Sequence, residues 1–395
     1  MTQNNRKNAI AQALSTAVAL GWVIMQVESA QAATLTVNNL DDSGFGSLRD
    51  AINTATSNDV VEFVLGSNPS TITLTSGALA MPAAGYAYAK NLTINGPGAN
   101  LLTISSNNHF PVFDINAANV TLSGLAIAGD FNAYDSGNLT FTNSSISGDN
   151  VNIDSNLTLI NSTISADNVK IDNATDNLEL LNSTISSNNN IQINANDVTL
   201  TDHSHIVSSN NTEINAKRLN VQDYSNIGTS NGITNGGNLS ISTNNVDLNN
   251  DGEINAGSNN LGAGGEITIT TNSLFIRDGA TLNVNSGSIS DGLGGNISLK
   301  VVPQTSAIAA GSNNSGVAGN ITINTGFLLT PPTEPSAIAA GSNNSGAGGS
   351  ITVTASDVVF LTRVPEPSAI AGSILAGSLA WLAKRKQAAF RKAKA

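Results

Sequence analysis

The sequence predicts an all-β chain folded as a right-handed parallel β-helix, and three observations carry that prediction. The first is a repeat. Leu139-Thr-Phe-Thr-Asn-Ser-Ser-Ile-Ser147, Leu157-Thr-Leu-Ile-Asn-Ser-Thr-Ile-Ser165, Leu178-Glu-Leu-Leu-Asn-Ser-Thr-Ile-Ser186, Val198-Thr-Leu-Thr-Asp-His-Ser-His-Ile206 and Leu219-Asn-Val-Gln-Asp-Tyr-Ser-Asn-Ile227 start roughly 18 to 21 residues apart, the period of a solenoid coil. The second is alternation of apolar residues within each copy, the mark of a strand with one buried face. One such strand cannot bury its face alone, whereas stacked copies build a continuous core. The third is Asn143, Asn161, Asn182, Asp202 or Asp223, four residues after each start. Asn and Asp bond their own backbone and tolerate left-handed geometry, so they mark a turn that stacks into a ladder along one edge. Leu157, Leu159, Ile164, Leu178, Leu180 and Ile185 should point inward. Roughly 12 to 15 coils would make a rod about 60 to 70 Å long at the spacing of neighbouring strands.

Composition agrees with a narrow core. Aromatic residues are 4% of 395, and there is no Cys, hence no disulfide framework and no thiolate metal site. The net charge of −12 is unevenly spread. Residues 33–383 hold 8 bases against 27 acids, a net of −19, while residues 384–395 hold six bases. An acidic body without basic patches repels nucleic acid and anionic membranes, so no nucleic-acid partner is expected.

Taken in order, residues 1–32 read as a secretory signal peptide. Arg6 and Lys7 precede the apolar stretch Ala17–Met25, and Ala30-Gln31-Ala32 supplies a small-x-small cleavage pattern. Cleavage between Ala32 and Ala33 by signal peptidase would start the exported chain at Ala33; a buried N-terminal helix is the plain alternative. Residues 33–60 begin with a short strand and a glycine turn, then a helical run from Ser47 to Thr54, with Ser47 as N-cap and Asp50 in the first turn. Asp42, Ser43, Gly44, Gly46, Ser47, Leu48, Arg49, Ala51 and Ile52 resemble the D-S-G-x-G-S-L-R-x-A-I opening of secreted β-helix proteins. That resemblance implies an N-terminal cap over the open end of the solenoid, with Arg49 a structural residue of it. Residues 61–360 form the β-helix body. From Gly236 the coils lengthen, and Gly236-Gly-Asn-Leu239, Gly264-Gly-Glu-Ile267, Gly294-Gly-Asn-Ile297, Ala318-Gly-Asn-Ile321 and Gly348-Gly-Ser-Ile351 each open a strand. This periodicity resembles the haemagglutinin-type repeats of large secreted surface proteins. The near-copies Thr305–Gly316 and Pro335–Gly346 read as duplication of one coil, and Pro331, Pro332 and Pro335 as a break in the last ones.

Residues 364–395 have three parts: Val364-Pro365-Glu366-Pro367-Ser368, the uncharged run 369–383, and a tail with Lys384, Arg385, Lys386, Arg391, Lys392 and Lys394. As a helix the run spans about 22 Å, short of the roughly 30 Å hydrocarbon core. It crosses only with snorkelling flanks or local thinning, with its basic end cytoplasmic. The order of parts resembles the PEP-CTERM sorting signal of bacterial exported proteins. The resemblance implies a transient transmembrane helix and cleavage by an exosortase-type protease, in a Gram-negative-type envelope that makes extracellular polysaccharide. An ordinary tail anchor is the alternative.

Chemistry-bearing clusters are sparse. Asp202, His203, His205, Lys217 and Arg218 are the densest, but Asp202-His203 and Asp223-Tyr224 occupy equivalent turn positions. No two carboxyls are marked out to flank a sugar as glycoside hydrolysis requires, and no catalytic or cofactor-binding residue is assigned. Asp247, Asn249 and Asp251 with Gly252 match the first half of a calcium loop, yet Ser258 stands where its bidentate acid belongs, and Asp251-Gly252 aligns with the coil turn Asp278-Gly279. Metal binding is therefore limited to loose attraction of Ca2+ by the acidic surface. The sequence reads as a non-enzymatic exported cell-surface or extracellular-matrix rod that meets extracellular polysaccharide. The rivals are a glycan-binding adhesin and a β-helix polysaccharide lyase or glycosidase.

Overall fold

A computed structural model describes residues 32–360, apart from 82–89, 117–118, 230–235, 258–263, 277, 285–295, 301–302, 305–306, 310–318, 331–336 and 340–348. Every strand pairing in it is parallel, and the pairings form three continuous ladders, which are the three faces of a solenoid. Face one starts at Thr34–Val37, passes through residues 139–142, 157–160, 178–181 and 198–201, and ends at 357–360. Face two follows the turn after it, through 145–148, 163–166, 184–187 and 205–208. Face three completes the coil through 131–133, 151–153, 169–173 and 191–195. Face one holds fourteen rungs among the described residues. At about 4.8 Å per step this is a rod of about 60 Å.

Register follows from what each coil buries. Ile127, Ile146, Ile164, Ile185, Ile206, Ile227 and Ile254 stand one above another on face two, none more than 1% exposed. Leu157, Leu178, Val198, Leu219 and Val246 form the matching column on face one. The six side chains expected inward are all buried. A one-residue slip would turn every one of them to solvent, losing about 1.5–3 kcal/mol of burial per side chain. Phe113, Phe131 and Phe141 pack on one another inside the early coils, with ring centroids 5.9 and 5.4 Å apart. The long strands Phe131–Thr142, Ser145–Ile160, Thr163–Leu181 and Thr184–Thr201 run on over the corners between faces.

The turn from face one to face two is where Asn and Asp were expected, and all five residues have positive φ, from 47° at Asn182 to 55° at Asp223. Asn182 Nδ2 donates to Asn161 Oδ1 at 2.8 Å and Asn250 Nδ2 to Asp223 Oδ1 at 3.1 Å. From Asp202 onward the turn gains a second left-handed residue, giving the pairs Asp202-His203, Asp223-Tyr224, Asn250-Asp251 and Asp278-Gly279. The expected alignment of Asp251-Gly252 with Asp278-Gly279 is thus wrong by one residue. Burial of Ile254 against Leu282 fixes Glu253–Asn255 to Thr281–Asn283, and this sets Asn250 over Asp278 and Asp251 over Gly279. A Cβ at Gly279, whose φ is 83°, would collide with the Asp251 carboxylate, so the fourth turn uses glycine.

Between the first two rungs of face one lies the helix Leu48–Thr54. Its N-cap Ser47 Oγ accepts the Asp50 N–H at 3.1 Å, and Leu48, Ala51 and Ile52 are buried against the end of the stack. Lys90 Nζ donates to the carbonyls of Ile52 and Ala55 at 2.8 and 2.9 Å, at the end where helix carbonyls lack partners. The glycine pairs at 236, 264 and 294 precede strands beginning at Leu239, Glu266 and Asn296, as the sequence suggested. Among the described residues no helix is long and apolar enough to cross a membrane. The expected signal peptide up to residue 31, the prolines at 331–335, the expected sorting motif Val364–Ser368 and the run 369–383 lie outside the described residues, as does Ser258.

Candidate functional site

The densest sequence cluster does not converge. His205 opens the strand His205–Ser208 on face two, in register with Asn226 and, one coil further, Glu253. Arg218 lies on face one, between Asp197 and Asn245. Its guanidinium grips Asp197 with two bonds, Nε to Oδ1 at 2.8 Å and Nη2 to Oδ2. That fork holds the Asp197 carboxyl below its usual range against a smaller opposing effect of burial. Asp202 and His203 sit on the turn between the two faces. His205 and Arg218 are therefore on different sides of an edge.

Two shallow clefts result. The one on face one, about 370 Å³, is lined by the Asp197–Arg218 pair, Asn220, Asp247 and Phe275, a residue 36% exposed. The one on face two, about 430 Å³, is lined by His205, Tyr224, Asp251, Glu253 and Asn255. The weak calcium candidates are split between them. Asp247 belongs to the strand Leu239–Leu248, Asn249 is buried at the corner, and Asp251 is in the turn. A calcium loop wraps its first ligands about one point, and here a strand and a corner keep them apart. Among the described residues no group of three or more His, Asp or Glu is gathered to hold a metal.

On face two, burial perturbs two titrating side chains. Burial pushes the Glu253 carboxyl up, against hydrogen bonds with Asn226 and Asn283 that favour its charge. Burial likewise lowers His205, with a contribution from His203. His203 stacks on Tyr224 with centroids 5.3 Å apart and planes 17° from parallel, and Tyr224 bonds Asp251 in the next turn. The turn side chains thus pack along the rod on one another.

No family model, curated protein or solved structure matches the chain.

Arg49 is fully engaged in structure. Its guanidinium reaches Asp42 Oδ1, Ala78 O and Gly77 O, each at 2.7 Å, and the Asp42 carbonyl at 3.1 Å. Burial of Asp42 opposes its charge, yet bonds from Ser76, Arg49 and Thr75 outweigh that and hold its carboxyl well below the usual range. Two columns of polar side chains escaped the sequence reading. Asparagines 58, 91, 119, 138, 156, 177 and 196 link coil to coil at 2.6 to 3.1 Å. Their signal is an Asn just before each face-one strand, as in Asn91-Leu92, Asn138-Leu139 and Asn156-Leu157. The other column is Ser144, Ser162, Ser183, Ser204 and Ser225. The backbone N–H of each of the first four donates to the serine hydroxyl of the next coil at 3.0 to 3.1 Å. Ser162 and Ser183 pass their own hydroxyl protons to Ile160 O and Leu181 O at 2.8 Å.

Proposed function

We propose that the chain is an exported cell-surface or extracellular-matrix protein whose working part is a non-enzymatic, acidic rod, right-handed in its coiling as parallel crossovers almost always are. The observation that carries this reading is where the polar side chains go. Asn, Ser, Arg49 and Arg218 spend their hydrogen bonds on the neighbouring coil or the first turns, which stiffens a rod. Under this reading the segment 33–60 is its N-terminal cap, and the body meets extracellular polysaccharide.

Sorting completes the proposal. Pro365 and Pro367 restrict φ and disfavour helix before them, so the segment Val364–Ser368 presents an extended chain to an exosortase-type protease. The run 369–383 holds the chain in the membrane transiently, basic end inside, until cleavage releases the body or attaches it outside. Changing Glu366→Ala and Pro367→Ala together should trap an uncleaved form in the inner membrane. Intact-mass analysis of the extracellular protein decides: a wild-type species still ending at Ala395 refutes sorting and leaves a tail anchor.

A second reading has one observation in its favour. Phe275 is an outward ring beside Asp247, Asn220 and the Arg218–Asp197 pair, a combination suited to stacking and hydrogen-bonding a glycan. Retention on immobilised polysaccharide that is lost in Phe275→Ala would favour an adhesin. Release of new reducing ends would favour a glycosidase, and of unsaturated ends a lyase.

A further inference from the structure

The start of the stack is closed by a buried carboxylate that receives the backbone of Ala33. Asp59 is 3% exposed. Its Oδ1 accepts the Ala33 N–H at 2.7 Å, and its Oδ2 accepts the N–H and the hydroxyl of Thr56 at 2.7 and 2.9 Å. Ala33 is held from its other side too, since its carbonyl accepts the Val60 N–H at 2.8 Å. Ala32 and Ala33 themselves face solvent. The nitrogen that Asp59 grips is the one that the Ala30-Gln31-Ala32 cleavage pattern would set free.

We propose that the fold is built to receive a new N-terminus at Ala33, whose α-ammonium pairs with the buried carboxylate of Asp59 and fastens the first coil only after export. This rests on the signal-peptide part of the function proposed above. In the step itself, water adds across the Ala32–Ala33 bond in a signal-peptidase-class protease. Hydroxide goes to the Ala32 carbonyl, a proton goes to the Ala33 nitrogen, and the free amine takes a second proton from solvent.

The unprocessed chain offers Asp59 a neutral amide N–H. The processed chain places a donor at the same point with a full positive charge, which adds the attraction of an ion pair to a bond that already ends on a carboxylate. The pocket already favours anionic Asp59: burial opposes its charge, but Thr56, Ala33 and Lys90 together hold the carboxyl below its usual range. Lys90 is the other charged group acting on Asp59, and two helix carbonyls engage its ammonium. A free α-amine titrates at about 7.7 to 8.0. Beside this carboxylate its pKa is raised, so the added stability is fully present below that range and is lost as pH rises through the folded value.

The test compares the otherwise complete chain beginning at Ala33 with the same chain acetylated on its α-amine. Acetylation restores the amide N–H and removes the charge. At pH 7 the free amine should react with an acylating reagent at least about tenfold more slowly than in Asp59→Asn, one unit of pKa being tenfold. Amides of Val60 and Val64, which bond the carbonyls of Ala33 and Val37, should exchange faster once the amine is acetylated. An amine that titrates normally, with exchange unchanged by acetylation, overturns the pairing. If Asp59→Asn does not fold, the acetylated chain carries the comparison alone. Sequencing the exported protein reads the other premise: an N-terminus away from Ala33 overturns the processing step, and the engineered start still shows whether the pair forms.

Discussion

Burial works against the charge of Glu253. This residue stands on face two between Asn226 and Thr281, and burial raises its pKa although Asn226 and Asn283 bond its charged form. A carboxyl with a raised folded pKa contributes most when protonated. Its contribution is full below the unfolded value of about 4.3 and disappears as pH rises through the folded one. Glu253→Gln keeps the shape and the amide partners and removes the charge. It should melt higher than wild type at pH 7 and at the same temperature near pH 3.5. Equal melting at both pH values would mean the carboxylate is not desolvated. Asp42 runs the other way: its depressed pKa contributes stability above about 3.9 that falls away as pH drops through the folded value.

At the scale of a coil, the turn column does more than reverse the chain. Ser162, Ser183 and Ser204 are at most 3% exposed, so each N–H in the column depends on the hydroxyl one coil away. Ser183→Ala leaves the Ser162 N–H buried without its acceptor and should cost about 1–3 kcal/mol in urea denaturation. The outward Thr158→Ala should stay within about 0.5 kcal/mol. A cost at Ser183 no larger than at Thr158 would mean water replaces the hydroxyl. The neighbouring Asn161 and Asn182 were legible in the sequence because positive φ restricts residue choice and leaves a residue-type signature. The serines were not. An Asn-Ser-Thr triplet looks like composition, and only vertical stacking shows that its Ser is buried. The inward columns were legible because alternation depends on nearest neighbours in sequence. The bond from Ala33 to Asp59 spans 26 residues and exists only through register. The same reason hid the one-residue offset at Asp251, since a Gly in either place satisfies a turn.

For the whole molecule, stability is close to a sum over coils and their nearest-neighbour contacts, so coils should be removable one at a time. Residues 161–181 are one such unit. Their removal joins Ile160 to Asn182, and Asn182 has the same left-handed φ as Asn161, 47° against 48°. Ser183 then takes the place of Ser162 beneath Ser144. Ile185 follows Ile146, and Val198 and Leu200 follow Leu157 and Leu159, so every column keeps an aliphatic residue. The shortened chain should retain the β-sheet circular dichroism of the parent and lose about 5 Å of maximum dimension in solution scattering, one strand spacing. Removing residues 161–171 instead places the strand at Leu178 directly after face one, so the chain omits faces two and three of that coil. Their columns are cut, Ile146 and Ile153 lose the side chains stacked on them, and the chain should not fold. If the two deletions behave alike, whether both fold or both fail, coil register does not specify this structure.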